Sequence, residues 1–320
     1  MTTLDLPSVS LTLPPAVLDR AVPPVAEPLR RARAAVASTA AGHLAIPEAA
    51  LTRQWLWDGR DHGDGVRYGM YRGAETIELA DAELEAALTG AAARAPGAIR
   101  TAPATIARWA LQGRLAALDD ASLDRVAREG EWTVRETLAH TIEGQRSYGW
   151  FTRWWLSQPM GEGRPARPTK EAETDSEREL PGERAEGEGT LAEIRARLDD
   201  VLDEWTLRYA GLDEAALAAP ASWAGIPVDI DSRLGRWASH IREHTIQLDK
   251  TLDWLGYQPS EPARIVRDLY ATWGRLEARV FPTVPAGTEA AVEQILDRMS
   301  ETLLREARSV REAAAAEPGK

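Results

Sequence analysis

Three stretches of this chain resemble one another: Ala45-Ile-Pro-Glu-Ala-Ala-Leu51, Ala117-Leu-Asp-Asp-Ala-Ser-Leu123 and Gly211-Leu-Asp-Glu-Ala-Ala-Leu217. Each follows a helical run, and each is succeeded by a tryptophan (Trp55, Trp132, Trp223) before the next helical run. An acidic turn after an Ala-rich helix yields one such stretch anywhere; three in matching context point to a repeated helix, loop and helix unit. Such a unit carries an apolar stripe that another helix must cover, so the expected fold is all-α.

The central part gives the clearest helix signals. A first helix is predicted from about Ala102 to Leu118. A second opens at Thr133-Val-Arg-Glu136, a capping box whose hydroxyl and carboxylate satisfy free N–H groups of the first turn. It continues through Val134, Leu138, Ile142 and Tyr148 to Leu156. Another capping box, Thr190-Leu-Ala-Glu193, opens a third helix with Leu191, Ile194, Leu198, Val201, Leu202 and Trp205 on its apolar face. The fourth runs from Ser232 to Gly256, with a stripe of Leu234, Trp237, Ala238, Ile241, Leu248, Leu252 and Leu255. Residues 158–189, between the second and third helices, are dense in Pro, Gly, Glu and Arg, too polar to pack and too long for a hairpin. A long middle connection lets the two helices it joins run parallel, so the expectation is a crossover bundle over 101–257 with a mobile 158–189 loop.

The flanks carry further helix pairs. Residues 1–22 read as an extended lead-in, 24–100 as an N-terminal pair (Pro24 to Ala45, then about Tyr68 to Ala93), and 95–103 as a linker. Residues 260–316 hold a C-terminal pair, Glu261 to Val280 and Thr288 to Ala314, with Ser260 as N-cap and Pro262 in the first turn. The two pairs can form a second, metal-free bundle around the inserted one, or extend or dimerise it.

His240 and His244 stand one turn apart on the fourth helix, so both imidazoles project from one face at the edge of the apolar stripe. A third histidine from another helix would complete a metal site, and His140, two turns into the second helix, is the candidate. Gly144, one turn on, is expected to leave room beside the His140 ring. Glu143 and Glu243 follow their histidines by about a turn and are candidate partners or bases, although a solvated helix face is the commoner reading of both. Gln247 has the better claim to the pocket, since Thr251 continues its flank. Tyr148, Trp150, Trp154 and Trp155 line an apolar mouth or pack in the core. His43 and His62 read as isolated polar residues.

Composition narrows the chemistry. Cysteine is absent, so a metal must be held by nitrogen and oxygen. The net charge of -12 argues against a nucleic-acid partner. No apolar run is long enough to span a bilayer, and the N-terminus lacks a signal-peptide layout, so a cytoplasmic location without membrane association is expected. A small molecule is the expected partner, with a homodimer as a reasonable assembly.

Glu131-Trp-Thr-Val-Arg-Glu-Thr-Leu-Ala-His140 and Ser239-His-Ile-Arg-Glu-His-Thr-Ile-Gln-Leu248 resemble the two signature segments of the DinB-like superfamily of metal-binding four-helix bundles, with Gly256 as the downstream glycine. The resemblance covers about residues 101–257 and implies an up-down-down-up bundle with a divalent metal on His140, His240 and His244, nickel or zinc ahead of iron or manganese. Characterised relatives include thiol-dependent transferases and isomerases using mycothiol, bacillithiol or glutathione. It implies a metal-dependent thiol S-transferase; a non-catalytic metal- or ligand-binding module of stress response, and a purely structural bundle whose histidines bind no metal, are the alternatives.

Overall fold

The computed structural model describes residues 21–316. The expected lead-in lies, but for its last two residues, outside the described residues. In chain order the helices are α1 (Glu27–Leu44), α2 (Val66–Leu88), α3 (Pro96–Leu115), α4 (Val134–Ser157), α5 (Lys170–Glu179), α6 (Glu183–Glu186), α7 (Leu191–Tyr209), α8 (Glu214–Leu217), α9 (Ile230–Trp254), α10 (Glu261–Val280) and α11 (Glu289–Ala315). Two short hairpins interrupt them, β1 (Leu56–Trp57) with β2 (Arg60–Asp61), and β3 (Pro220–Trp223) with β4 (Ile226–Asp229).

Helices α3, α4, α7 and α9 surround one apolar core that includes Leu138, Ile142, Leu198, Trp237 and Leu248. Side-chain pairing fixes their directions. Arg100 reaches Asp231 at the start of α3 and α9, and Arg114 reaches Asp249 at their ends, so these two run parallel. Along α4, Arg135 donates to the Gly189 carbonyl and the Gly149 carbonyl accepts from Tyr209, which makes α4 and α7 parallel. The Gly97 N–H donates to the Leu212 carbonyl and Arg195 donates to Gln112, so α3 and α7 are antiparallel. The bundle is up-down-down-up, with the long 158–189 connection joining the two parallel middle helices.

Helices α1, α2, α10 and α11 build a second core with the same topology. Arg31 pairs with Asp297 near the start of α1 and α11, and Gly42 lies against Arg311 near their ends. Arg67 pairs with Glu261 and Arg279 with Asp81, so α2 and α10 are parallel, while the Arg298–Glu83 and Arg72–Glu306 pairs set α11 against α2. The whole α3–α9 bundle therefore sits in the connection between α2 and α10, the position that 158–189 occupies in the inner bundle. The three sequence repeats fall at corresponding places: a 3-10 turn at Glu48–Ala50 after α1, another at Asp120–Ser122 after α3, and α8 after α7.

The bundles meet along α3 and α10. Trp109 stacks on Tyr270, and the backbones approach so closely that a Cβ on Gly274 would lie 2.9 Å from Trp109 Cβ. At this seam Arg33 of α1 and Arg108 of α3 share the carboxylates of Asp203 of α7 and Glu277 of α10; Arg33 lies 2.7 Å from Glu277 and Arg108 2.5 Å from Asp203. Glu277 is fully buried between both guanidiniums. Burying these charges is costly, and their mutual pairing is what makes it tolerable.

Two expectations need correction. Residues 95–103 are not a linker, because α3 begins at Pro96. Proline suits the first helical position, where its missing N–H has no intrahelical role, and Gly97 allows the chain to press against the Tyr209 carbonyl. The 158–189 segment is not a structureless loop; it carries α5, capped by Thr169, and α6. Its polarity is met by ion pairs, since the buried Glu186 carboxylate takes Arg146 of α4 and Arg197 of α7.

Candidate metal centre

Both capping boxes form, and that of Thr133 and Glu136 fixes where α4 starts and hence which way His140 faces. The α4 and α9 helices pack antiparallel, so a histidine near the start of α4 meets the middle of α9. His140, His240 and His244 each offer a ring nitrogen within 4.8 Å of the others. The Nε2 atoms of His240 and His244 are 3.0 Å apart. The His140 ring centroid lies 4.8 Å from that of His244 and 5.5 Å from that of His240.

The environment favours the neutral form of the two α9 imidazoles. His240 is 3% exposed, and burial, with the neighbouring His244, lowers its pKa to about 3. Burial also lowers that of His244. Two neutral imidazoles pointing lone pairs at one spot suit a cation, which supplies the positive charge that desolvation denies to a proton.

Each ring nitrogen turned away from the cluster has a partner. His244 Nδ1 is 2.9 Å from Gln247 Oε1, so it carries the hydrogen and leaves Nε2 free. His140 Nδ1 is 3.2 Å from Glu183 Oε2, likewise leaving its Nε2 toward the other rings. His240 Nδ1 is 3.2 Å from the buried Gln145 amide nitrogen, while Gln145 Oε1 has no hydrogen-bond partner among the described residues. The same amide nitrogen donates to the Trp237 carbonyl at 3.4 Å, so Gln145 ties the His240 ring to the α9 backbone from its Nδ1 side and leaves Nε2 directed at the other rings.

Around the rings, Trp132 stacks on His244 at 6.1 Å and tilts against His140 at 4.8 Å. Tyr148 meets His240 edge-on at 5.0 Å, and burial raises its pKa. The His140 side chain is 31% exposed, so the cluster opens to solvent on that flank. A second group of possible ligands, His140, Glu143 and Glu183, overlaps the first through His140. Glu143 is half-buried and its pKa is raised by that burial.

Not every candidate faces the cluster. Glu243 is exposed and held by Arg236 Nη1 at 2.5 Å, a hydrogen bond that lowers its pKa. The space at Gly144 belongs to a different ring from the one expected: an added Cβ would lie 2.5 Å from Cε1 of His240, not beside His140. The reason is the antiparallel packing, which points the facing helix's histidine down onto α4. Trp155 lies in the core, while Trp150 donates from Nε1 to Glu179 of α5. His43 is buried on α1, and burial lowers its pKa to about 4; the exposed His62 stacks on Tyr68 at 4.8 Å. Sequence reasoning missed Gln145 and Glu183. Gln145 carried one signal, a polar residue on the apolar side of α4; Glu183 carried none.

An up-down-down-up bundle with one histidine on its second helix and a His-x-x-x-His pair on its fourth defines a helical protein with a metal-capable core. The family model of the DinB superfamily matches residues 104–248, which take in all three histidines and most of the inner bundle, and this part of the chain belongs to that superfamily. No curated protein and no solved structure matches the chain. Among the described residues no helix is long and apolar enough to cross a membrane.

Proposed function

We propose that this protein is a metal-dependent enzyme of the thiol-dependent S-transferase kind, with His140, His240 and His244 as ligands of one divalent ion, nickel or zinc. The convergence of three imidazoles from two helices, on a flank open to solvent, carries the reading. When bound, such an ion lowers the pKa of a coordinated thiol or water, and three nitrogen ligands leave positions for it. The thiol is a small cosubstrate such as mycothiol or bacillithiol, since the chain has no cysteine to supply one.

The chain's own groups have distinct tasks. Gln247 and Glu183 hold the outward nitrogens of His244 and His140, fixing tautomer and ring orientation. Trp132 and Tyr148 wall the cluster and limit water. Glu143, at the open flank beside His140, is placed to accept the proton that an arriving thiol releases.

Elemental mass spectrometry on protein purified without an affinity tag, beside His240→Ala, tests this reading. About one ion per chain, lost in the variant, followed by turnover of an electrophile with an added low-molecular-weight thiol, is the expected result. Protein that carries no metal and neither binds nor is stabilised by nickel, zinc, iron or manganese would refute it. Stoichiometric metal without turnover with any thiol favours the non-catalytic binding module.

A further inference from the structure

Next to the histidines lies an open cleft of about 470 Å³. Three aromatic residues wall it, Tyr148 and Phe151 from α4 and Trp223 from the β3–β4 turn. Tyr148 and Trp223 meet edge-on at 4.6 Å. The hairpin turn comprises Ala224 and Gly225, both at positive φ (48° and 82°), and this two-residue geometry sets Trp223 over the cleft.

Arg233 of α9 also lines the cleft, yet it is only 5% exposed. Its Nη1 donates to the Ser222 carbonyl at 2.6 Å and its Nε to Thr152 Oγ1 at 3.4 Å. Among the described residues no carboxylate pairs with it, and its Nη2 makes no hydrogen bond. The chain's other deeply buried arginines are treated differently: Arg108 meets Asp203 and Glu277, and Arg72 meets Glu75 and Glu306. A buried cation without a counter-charge is among the costliest arrangements in a folded chain, and burial pulls the Arg233 pKa down to about 10. The Trp223 ring, 5.3 Å beneath the guanidinium, offers it only partial compensation.

A second cation comes from the crossover connection. Arg167 lines the cleft and packs on Gly225, where a Cβ would lie 3.3 Å from its Nη2. Glu173 stands exposed among the lining residues, so two guanidiniums face one carboxylate in a protein whose net charge is -12. Tyr148 is shared between the cleft and His240, so a molecule lying in the cleft has one end directed at the histidines.

We propose that this cleft binds a small organic carboxylate with a flat apolar portion, the carboxylate paired with Arg233, Arg167 closing over it and the apolar portion stacked among Tyr148, Phe151 and Trp223. The guanidinium fork matches a carboxylate, and one buried cation balances a monoanion. That the molecule is a substrate rests on the reading of the histidine cluster as a reaction centre; the anion site itself does not.

Benzoate and its neutral isostere benzamide are the probes, titrated by calorimetry into full-length protein stripped of metal so that a carboxylate–metal bond contributes nothing. Benzoate is expected to bind saturably and at least about tenfold more tightly than benzamide. Arg233→Met, which keeps the aliphatic bulk, is expected to remove that preference, and Arg167→Ala to weaken benzoate about threefold or more. Equal binding of the two probes, or wild-type benzoate affinity in both variants, overturns the proposal. If Arg233→Met loses its circular dichroism, the benzoate-to-benzamide ratio and Arg167→Ala decide. Failure of the metal reading leaves benzoate binding intact, whereas failure of this site leaves metal content intact.

Discussion

Gly144→Ala probes how rigidly the centre is held. An added Cβ would lie 2.5 Å from Cε1 of His240 and 3.1 Å from its Nε2. Carbon atoms pack at about 3.5–4 Å, so the ring must retreat by about 1 Å. It has little room to do so, with His244 at 4.3 Å and Tyr148 at 5.0 Å between ring centroids. Metal–nitrogen distances tolerate only about 0.2 Å, so the ring that retreats is lost as a good ligand. Metal affinity should fall by about 10–100-fold, the range found when the groups that orient metal ligands are disturbed. The metal-free fold should change much less, because overpacking costs about 1–3 kcal/mol while alanine in mid-helix regains about 1 kcal/mol over glycine. A chelator-competition titration with zinc and nickel, paired with urea denaturation of the metal-free protein, separates the two effects. Wild-type metal affinity in Gly144→Ala would refute the reasoning, since it would mean that His240 is not a ligand in this orientation.

Three further outcomes are expected. Gln247→Leu removes the acceptor that fixes the His244 tautomer and should weaken zinc binding about tenfold in the same titration, with little change in metal-free stability. Glu277→Gln leaves Arg33 and Arg108 short of a buried counter-charge and should cost about 3 kcal/mol in urea denaturation followed by tryptophan fluorescence; a cost under about 0.5 kcal/mol would show the seam to be unimportant. His43 has a folded pKa of about 4 against 6.5 unfolded, so the unfolded chain binds its proton first as pH falls. Its contribution is complete above about pH 6.5 and declines toward pH 4, a loss of about 2 kcal/mol at pH 5. His43→Leu should lessen the fall in metal-free stability between pH 7 and 5, and an unchanged fall would dismiss the assignment.

Much of the inner bundle was legible because its signals are local. Thr133 and Glu136, or Thr190 and Glu193, meet within one turn, and an i, i+4 histidine pair needs only helix geometry to share a face. The start of α3 was misread because Pro96 and Gly97 break helices in general but suit a first turn pressed against another backbone. The folding of 158–189 was hidden for a related reason. Glu186 is an ordinary acidic residue until Arg146 and Arg197 arrive from two other helices.

By itself, the sequence determined that the chain is helical, where α4, α7 and α9 begin, and which three imidazoles can be brought together. Only the tertiary structure decided that the outer helix pairs repeat the inner topology, that Gly144 makes way for His240, that Gln145 and Glu183 stand behind the rings, and that Arg233 lies buried with no carboxylate partner among the described residues. The periodicity of a sequence states which face of a helix is apolar. It does not state which helix covers that face, in which direction it runs, or which distant side chain fills the space between, and those choices set the charge and shape of the site.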